Sequence, residues 1–323
     1  MSPSVSLSTR LTEYLRIEQP ILLAPMAEVA GGRLAAAVTA AGGLGLIGGG
    51  YGNRDWVTAQ IGETGGARVG YGFITWSLAE HPDLLELALE QQPATVMLSF
   101  GDLRPFADRI HAAGIPLTAQ VQTLGQAREA VAAGAKIVVA QGTEAGGHGM
   151  SVRSTFTLVP DVVDLVAERF PETLVVAAGG IADGRGLAAA LALGADGALV
   201  GTRFWASAEA LVSPRAQQRA LLASGDDTIR TTVYDVVRQR TWSAPYNARL
   251  VRNALIDTWH DNEAQLLDQL PATLAAYQKA VAAEDFDVVT MLVGEAIGRV
   301  RDVRPTADII SQMVRDAAKI LNR

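Results

Sequence analysis

The chain has 323 residues, of which 49% are hydrophobic, 19% are charged and 32 are glycine, as in globular proteins with a large core and many tight turns. The net charge is -7 and the basic residues form no cluster of five or more, so we expect neither nucleic acid nor an anionic membrane as a partner. No cysteine is present, which excludes disulfides, thiolate metal sites and a cysteine nucleophile.

The amino-terminal segment contains no apolar core of the kind found in signal peptides, and no later stretch is long and apolar enough to predict a membrane span. We therefore expect a cytoplasmic protein, and a homo-oligomer is compatible with the sequence. At this length, one large domain with an insertion is as compatible with the chain as two separate domains.

Eight short apolar runs predict the strands of a parallel sheet. They lie at 20–26, 44–49, 68–74, 95–100, 116–122, 135–142, 173–180 and 197–204. The runs are continuously apolar rather than alternating, which is typical of strands that are buried on both faces. Helical patterns separate them, and those at 104–114, 124–134 and 183–194 each close on a glycine suited to a helix C-cap.

Eight strand–helix units favour an α/β fold of the (β/α)8 TIM-barrel type over an open doubly wound sheet. The segment 205–283 departs from this pattern because it is richer in charged and aromatic residues, and it predicts a helical cap after strand eight. The predicted domains are a barrel formed by 1–204 and 284–323 and a helical insertion, or lid, at 205–283. The amphipathic segment 307–323 is expected to complete the outer ring of helices.

One glycine pattern suggests a dinucleotide site but lies in the wrong context. Gly43, Gly45 and Gly48 satisfy G-x-G-x-x-G, which marks a Rossmann site only where the glycines follow a strand and open a helix. Here the glycines interrupt the apolar run, and the next helix is predicted to begin after Asn53, a suitable N-cap. We expect these small residues to leave room for a flat ligand instead.

Two loops predict a phosphate site. Gly179 and Gly180 end predicted strand seven shortly before a helix that starts near Asp183, and Gly201 and Thr202 end predicted strand eight. A tight turn would explain either loop alone. In TIM barrels, however, the loops after strands seven and eight are the usual phosphate site, and backbone amides near a helix N-terminus attract anions.

The string QGTEAGGHGM, residues 141–150, follows predicted strand six and contains the candidate catalytic residue, His148. A neutral imidazole is suited to proton transfer near neutral pH, and functional side chains of barrels lie on these loops. The alternative is a histidine hydrogen-bonded locally at the surface. Glu144 is expected either to orient the loop or to be solvated. His81, His111 and His260 lie in helical contexts and predict surface or packing roles.

These motifs resemble the nitronate monooxygenase family, formerly called 2-nitropropane dioxygenases. The resemblance spans about 20–205 and is carried by ILLAPMAEVAGGRLAAAVTAAGGLGLIG, QGTEAGGHGM, TLVPDVVDLV and AAGGIADGRGLAAALALGADGALVGTRF. It implies an FMN-dependent barrel enzyme with His148 as catalytic base or as hydrogen-bond partner of the substrate's nitro group. The FMN contacts that it implies are Ala24, Pro25, Met26, Gln120, Gln141, Gly146 and Gly147, with Gly179, Gly180, Gly201 and Thr202 at the phosphate.

The chain departs from the family at predicted strand three. The family commonly has G-V-N-[LF] there, whereas this chain has GYGF at 70–73, so Gly72 takes the place of an asparagine that lies near the flavin. One flavin or substrate contact is therefore missing or is supplied from elsewhere, and this weakens the substrate assignment more than it weakens the cofactor assignment.

The resemblance implies oxidation of alkyl nitronates or nitroalkanes by O2 to carbonyl compounds and nitrite. One alternative is an NAD(P)H-dependent flavin reductase of the enoyl-acyl-carrier-protein or quinone type, although Gln141 favours the monooxygenase because the enoyl reductases tend to have glutamate there. Another alternative is a flavin-binding protein without turnover. Trp242, Tyr246 and Trp259 are candidates for a lid that excludes water, and the alternative for aromatic residues in a helical segment is a place in the core.

Overall fold

The described part of the chain, residues 6–322 of a computed structural model, forms a parallel eight-stranded barrel surrounded by helices, and this confirms the predicted fold class. The strands are β1 (Ile21–Leu23), β2 (Leu46–Gly48), β3 (Gly70–Ile74), β4 (Val96–Ser99), β5 (Leu117–Val121), β6 (Ile137–Gln141), β7 (Gly147–Met150), β8 (Leu174–Ala178), β9 (Gly197–Val200), β10 (Thr228–Thr231) and β11 (Tyr246–Val251).

The helices are α1 (Arg10–Leu15), α2 (Gly32–Ala40), α3 (Arg54–Gly62), α4 (Thr75–Glu80), α5 (Asp83–Leu89), α6 (Arg104–Ala112), α7 (Leu124–Ala132), α8 (Thr155–Arg169), α9 (Gly184–Ala192), α10 (Thr202–Trp205), α11 (Pro214–Ala220), α12 (Val233–Val237), α13 (Ala254–Trp259), α14 (Glu263–Asp268), α15 (Leu270–Ala282) and α16 (Thr306–Leu321). Short 3-10 turns lie at Gly225–Asp227 and Glu295–Arg299.

The barrel strands follow the order β1-β9-β8-β6-β5-β4-β3-β2, and every pairing is parallel. Backbone hydrogen bonds close the ring between β1 and the start of β2: the Leu44 amide donates to Ile21 O at 3.0 Å, and the Leu23 amide donates to Leu44 O at 2.9 Å. Because all strands run the same way, their carboxyl ends meet on one face, where barrel active sites lie.

Local sequence signals explain the boundaries of several helices. The Asn53 side chain accepts from the Trp56 amide and caps α3, as predicted. Three helices end just before glycines with positive φ, the left-handed conformation that glycine adopts without a Cβ penalty: Gly114 at 71°, Gly134 at 84° and Gly194 at 90°. The predicted glycine C-caps are therefore confirmed.

The barrel interior is filled by apolar side chains, and α1 covers its amino-terminal end. Leu11 and Leu15 of α1 pack with Leu22, Ile137 and Leu174, among other buried residues of the strands. The Thr9 hydroxyl, which caps α1, also donates to Asp196 O at 2.7 Å, just before β9. With this end sealed by packing, space for a ligand is left at the opposite, carboxyl-terminal face.

The last helix completes the outer ring. Helix α16 packs against α9 and α2, which places it in the position of the helix after the eighth barrel strand. Ile309, Ile310, Met313 and Val314 are buried on its inner face. The predicted role of 307–323 is therefore confirmed, and its amphipathic pattern supplies the physical reason.

The cap is not purely helical. Strands β10 and β11 form an antiparallel sheet with β7 in the order β10-β11-β7. Strand β7 belongs to the glycine-rich string that follows β6, so the cap pairs directly with the predicted active-site loop. The prediction of helices alone missed this sheet, whereas the domain boundaries at 205 and 283 stay a prediction. Within residues 6–322, no helix is long and apolar enough to cross a bilayer.

We expect Leu11→Ala to lower the free energy of unfolding by about 2–4 kcal/mol, because it opens a cavity where α1 seals the barrel. Urea denaturation followed by circular dichroism measures this. Leu267→Ala is the control: that side chain is 59% exposed, and its loss should change stability by no more than about 0.5 kcal/mol. Equal stability of the two variants would contradict the role assigned to α1.

Candidate active site

A cavity of about 390 Å³ opens at the carboxyl-terminal face of the barrel, within the range that small-molecule sites occupy. It is bounded below by the ends of the barrel strands and above by the cap. Every residue that the sequence predicts for the site lines it: Ala24, Pro25, Met26, Gln120, Gln141, Gly146, Gly147, His148, Gly179, Gly180, Gly201 and Thr202. The structure thus brings the predicted residues together in one cavity, and their roles stay predictions.

The loop between β6 and β7 is held by charged side chains. Arg230 of β10 and Arg249 of β11 each donate through Nε to the Thr143 carbonyl at 3.0 Å, and Arg230 also reaches the Ala145 carbonyl at 3.3 Å. Burial, followed by the neighbouring Arg249, lowers the pKa of Arg230 to about 10, which leaves it charged at neutral pH. The two arginines of the cap therefore hold the loop through the loop's backbone carbonyl groups.

Glu144 orients the same loop from the other side. Its two carboxylate oxygens accept the Thr155 amide at 3.1 and 3.0 Å, and one of them accepts the Thr155 hydroxyl at 3.1 Å. Thr155 is the first residue of α8, whose amide would otherwise lack an intrahelical partner. Of the two alternatives for Glu144, orientation of the loop is the one observed.

His148 contacts two cap residues that sequence reasoning did not connect with it. Its Nε2 lies 2.9 Å from Asp235 Oδ1, and the exposed fractions of the two side chains are only 9% and 11%. Its ring stacks on Trp242, with centroids 3.6 Å apart and planes inclined by 7°. The imidazole is thus fixed in both orientation and plane, unlike a histidine bonded locally in a surface loop.

The other three histidines lie outside the cavity, as predicted. His111 Nε2 lies 3.2 Å from Gly134 O, and His260 Nδ1 lies 3.2 Å from Thr231 Oγ1. His81 ends α4.

Glutamine side chains form a network beneath the His148 loop. Gln120 and Gln122 donate to Gln141 Oε1 at 3.1 and 2.7 Å, and Gln141 Nε2 donates to the His148 carbonyl at 3.2 Å. Gln141 is buried at the end of β6. The Gln141 amide is therefore oriented by its neighbours, while Gln120 and Gln141 still face the cavity.

The first of the two predicted phosphate loops adopts a conformation that favours glycine. Gly179 and Gly180 have φ of 107° and 72°, in the region that disfavours other residues. A Cβ on Gly179 would also lie 2.7 Å from Thr155 Oγ1. Thr202 Oγ1 accepts the Gly294 amide at 2.9 Å, and its hydroxyl hydrogen can still donate to an anion.

The helix that follows the first glycine loop is already capped by a side chain. The Asp183 carboxylate caps α9 by accepting the amides of Arg185 and Gly186 at 3.0 and 3.1 Å. These amides are therefore occupied, and a carboxylate at this helix start disfavours a second anion there. The phosphate assignment rests on the glycine loops and Thr202 instead.

Gly72, the departure from the family pattern, lies close against Pro25. A Cβ at this position would lie 2.2 Å from Pro25 Cγ and 2.3 Å from Pro25 Cβ. In this chain the Pro25 ring thus occupies the space that a side chain at position 72 would need. The two residues are in close contact in the cavity wall.

Aromatic rings surround the Trp242 side of the cavity. Trp242 packs edge-on against Phe100 and Trp76, with ring centroids 5.1 and 5.5 Å apart, and its Nε1 donates to Tyr51 OH at 3.3 Å. Tyr246 contacts both Phe100 and Trp242. These contacts support the predicted lid roles of Trp242 and Tyr246.

Trp259 does not belong to this lid. It packs against the separate cap core that contains Val233, Leu250 and Tyr277. The lid prediction for Trp259 is therefore wrong, because an aromatic residue on a cap helix lies in the core of the cap itself.

Comparison with known proteins identifies the family. The family model described as nitronate monooxygenase matches residues 8–67 and 77–316. The chain belongs to the nitronate monooxygenase family. The matched segments are interrupted at 68–76, which contains Gly72.

Relatives and solved structures cover nearly the whole chain. It is 32% identical to a nitronate monooxygenase of Neurospora crassa, over 94% of this chain and 90% of that one. FabK of Thermotoga maritima superposes with a TM-score of 0.86 at 32% identity, covering 98% of each chain. A nitroalkane oxidase of Streptomyces ansochromogenes follows with 0.76 at 27% identity, covering 96% and 98%. The protein is therefore a flavin-dependent oxidoreductase, and the alternative of a binding protein without turnover is set aside.

We expect Gly72→Ala to destabilise the protein by about 1–3 kcal/mol, since the added Cβ has no space beside Pro25. Gly62→Ala is the matched control: a Cβ there meets nothing within 4 Å, so this variant should be as stable as the wild type or slightly more stable. Thermal unfolding midpoints measure both. A Gly72→Ala protein as stable as Gly62→Ala would refute the close contact with Pro25.

Proposed function

We propose that the cavity binds FMN. Gly179, Gly180, Gly201 and Thr202 would hold its phosphate, and the isoalloxazine ring would contact Ala24, Pro25, Met26, Gln120, Gln141, Gly146 and Gly147. The positive φ of the first two glycines and the free donor capacity of Thr202 support the phosphate end. A Cβ on Gly201 would lie no closer than 3.5 Å to its neighbours, which supports room for a ligand beside that strand end.

The reaction we propose is oxidation of alkyl nitronates and nitroalkanes by O2. Overall, two nitronate anions and one O2 give two carbonyl compounds and two nitrite ions, and no nicotinamide is consumed. Bound FMN would supply the electron acceptor for the nitronate and the electron donor for O2, as flavins do in oxidoreductases. The partners are thus a small nitro compound and O2.

The observation that carries this proposal is His148, held in the wall of the cavity by Asp235 and Trp242. A neutral nitroalkane must lose its α-proton before it becomes a nitronate, and a fixed imidazole can take that proton. For a preformed nitronate the same side chain, in its imidazolium form, can donate a hydrogen bond to the nitro group. The aromatic residues around Trp242 exclude water from the reacting carbon.

A second candidate function is an NAD(P)H-dependent flavin reductase. The same backbone superposes on FabK of Thermotoga maritima with a TM-score of 0.86 as well as on a nitroalkane oxidase, so the fold does not decide between the two candidates. Both candidates use the same barrel, and they differ in the source of electrons for the flavin.

We expect His148→Ala to lower turnover of a neutral nitroalkane by about 10²-fold or more, because it removes the base, while a preformed nitronate loses less. Nitrite release in air, with each substrate in turn, measures both rates. His111→Ala is the control, since that histidine bonds Gly134 O away from the cavity. Equal losses on the two substrates would show that His148 only positions the anion.

We expect the flavin of the purified protein to be reduced anaerobically by an alkyl nitronate and not by NADH. Stopped-flow absorbance near the flavin bands records the change, and nitrite should appear when air is admitted. Bleaching by NADH alone would assign the protein to the reductase candidate. A colourless protein that takes up no FMN would contradict the cofactor proposal.

A further inference from the structure

Asp235 is a buried carboxylate, and only one of its two oxygens has a hydrogen-bond partner among the described residues. It lies on α12 of the cap and is 8% exposed. Oδ1 lies 2.9 Å from His148 Nε2, whereas within residues 6–322 no hydrogen-bond partner reaches Oδ2. A buried carboxylate that is only partly hydrogen-bonded costs free energy, and such groups persist mainly where a charge or a function compensates them.

The Asp235 contact determines which nitrogen of His148 carries the proton. An ionised carboxylate only accepts hydrogen bonds, so a neutral imidazole at 2.9 Å must present Nε2–H to Oδ1. The lone pair is then on Nδ1, the nitrogen left for a substrate. Because Trp242 stacks flat on the ring, the imidazole cannot turn freely to exchange the two nitrogens.

We propose that Asp235 is a positioning residue, which holds His148 in the tautomer that takes the α-proton of a neutral nitroalkane. This inference rests on the proposed function. It concerns one of the two proposed substrate classes, the neutral nitroalkanes. In the step, the C–H bond breaks and an N–H bond forms at Nδ1. The electron pair moves into the C=N bond, and the negative charge goes to the nitro oxygens. The imidazolium that results is paired with the Asp235 carboxylate.

The same contact could merely tie the cap to the barrel loop, so the test must separate the two roles. A purely structural tie affects every substrate alike, because it changes the shape of the whole site. A positioning role affects the neutral nitroalkane, which needs a base, far more than the preformed nitronate, which does not.

The experiment uses Asp235→Asn, which keeps the shape of the side chain and removes its charge. Glu295→Gln is the matched control, since it makes the same exchange at the Arg249–Glu295 ion pair, 3.0 Å long, which joins β11 to the chain before α16. Each FMN-loaded protein is assayed with nitroethane, with 1,1-dideuterated nitroethane and with ethylnitronate. Flavin content and thermal midpoint are measured alongside.

We expect Asp235→Asn to lower kcat/KM for nitroethane by about 10²-fold or more and to change that for ethylnitronate by less than about threefold. The deuterium isotope effect on kcat/KM for nitroethane should stay the same or increase, since C–H cleavage becomes slower. Glu295→Gln should leave the ratio of the two substrates unchanged. Asp235→Ala, which removes the carboxylate altogether, should show the same selective loss.

Equal losses on both substrates, no loss on either, or a failure of both Asp235 variants to retain FMN would overturn the proposal. The last result would show that the carboxylate builds the site rather than positions the base. A wild-type protein that oxidises neither substrate would instead refute the proposed function itself, and this outcome is distinguishable because it does not depend on Asp235.

Discussion

The pairing of β7 with β11 is the constraint on which the site depends. Gly142, Gly146, Gly147 and Gly149 surround His148, and glycine loses more backbone entropy on folding than any other residue. The loop is fixed from outside by the strand register that places His148 opposite Ala248 and by Arg230 and Arg249 on its carbonyls. The cap therefore forms part of the cavity wall around His148 rather than merely covering the cavity.

The glycines of this loop are required because other parts of the chain approach it closely. A Cβ on Gly142 would lie 2.1 Å from Thr155 Oγ1, and one on Gly146 would lie 2.4 Å from the Gly294 amide. Gly147 has φ of 70°, which disfavours any other residue there. Close packing against neighbouring parts of the chain thus adds to the hold that the two arginines exert on the loop, and His148 is the one ionisable side chain of β7.

The sequence predicted the barrel because strands buried on both faces are continuously apolar and because glycine marks the helix ends. It did not predict β7, since the residues Gly147–Met150 lack the β-branched residues typical of strands, and their pairing depends on a segment about a hundred residues away. Asp235 was missed for the same reason: nothing near it in the sequence marks it, and 87 residues separate it from His148. Local sequence patterns predict individual helices and strands. Contacts between residues far apart in the sequence can be identified only once the fold is known.

The barrel alone does not identify the electron donor. FabK and the nitroalkane oxidase each cover at least 96% of this chain, so two differently named proteins share nearly the same backbone. The shared backbone cannot by itself distinguish them, because function lies in sites rather than in folds. In this chain the cavity wall contains Asp235 and Trp242 against His148, where cap and barrel meet, and Pro25 against Gly72 within the barrel. The choice of substrate is therefore expected to depend on such local contacts, whereas the fold depends on the buried strands of the barrel.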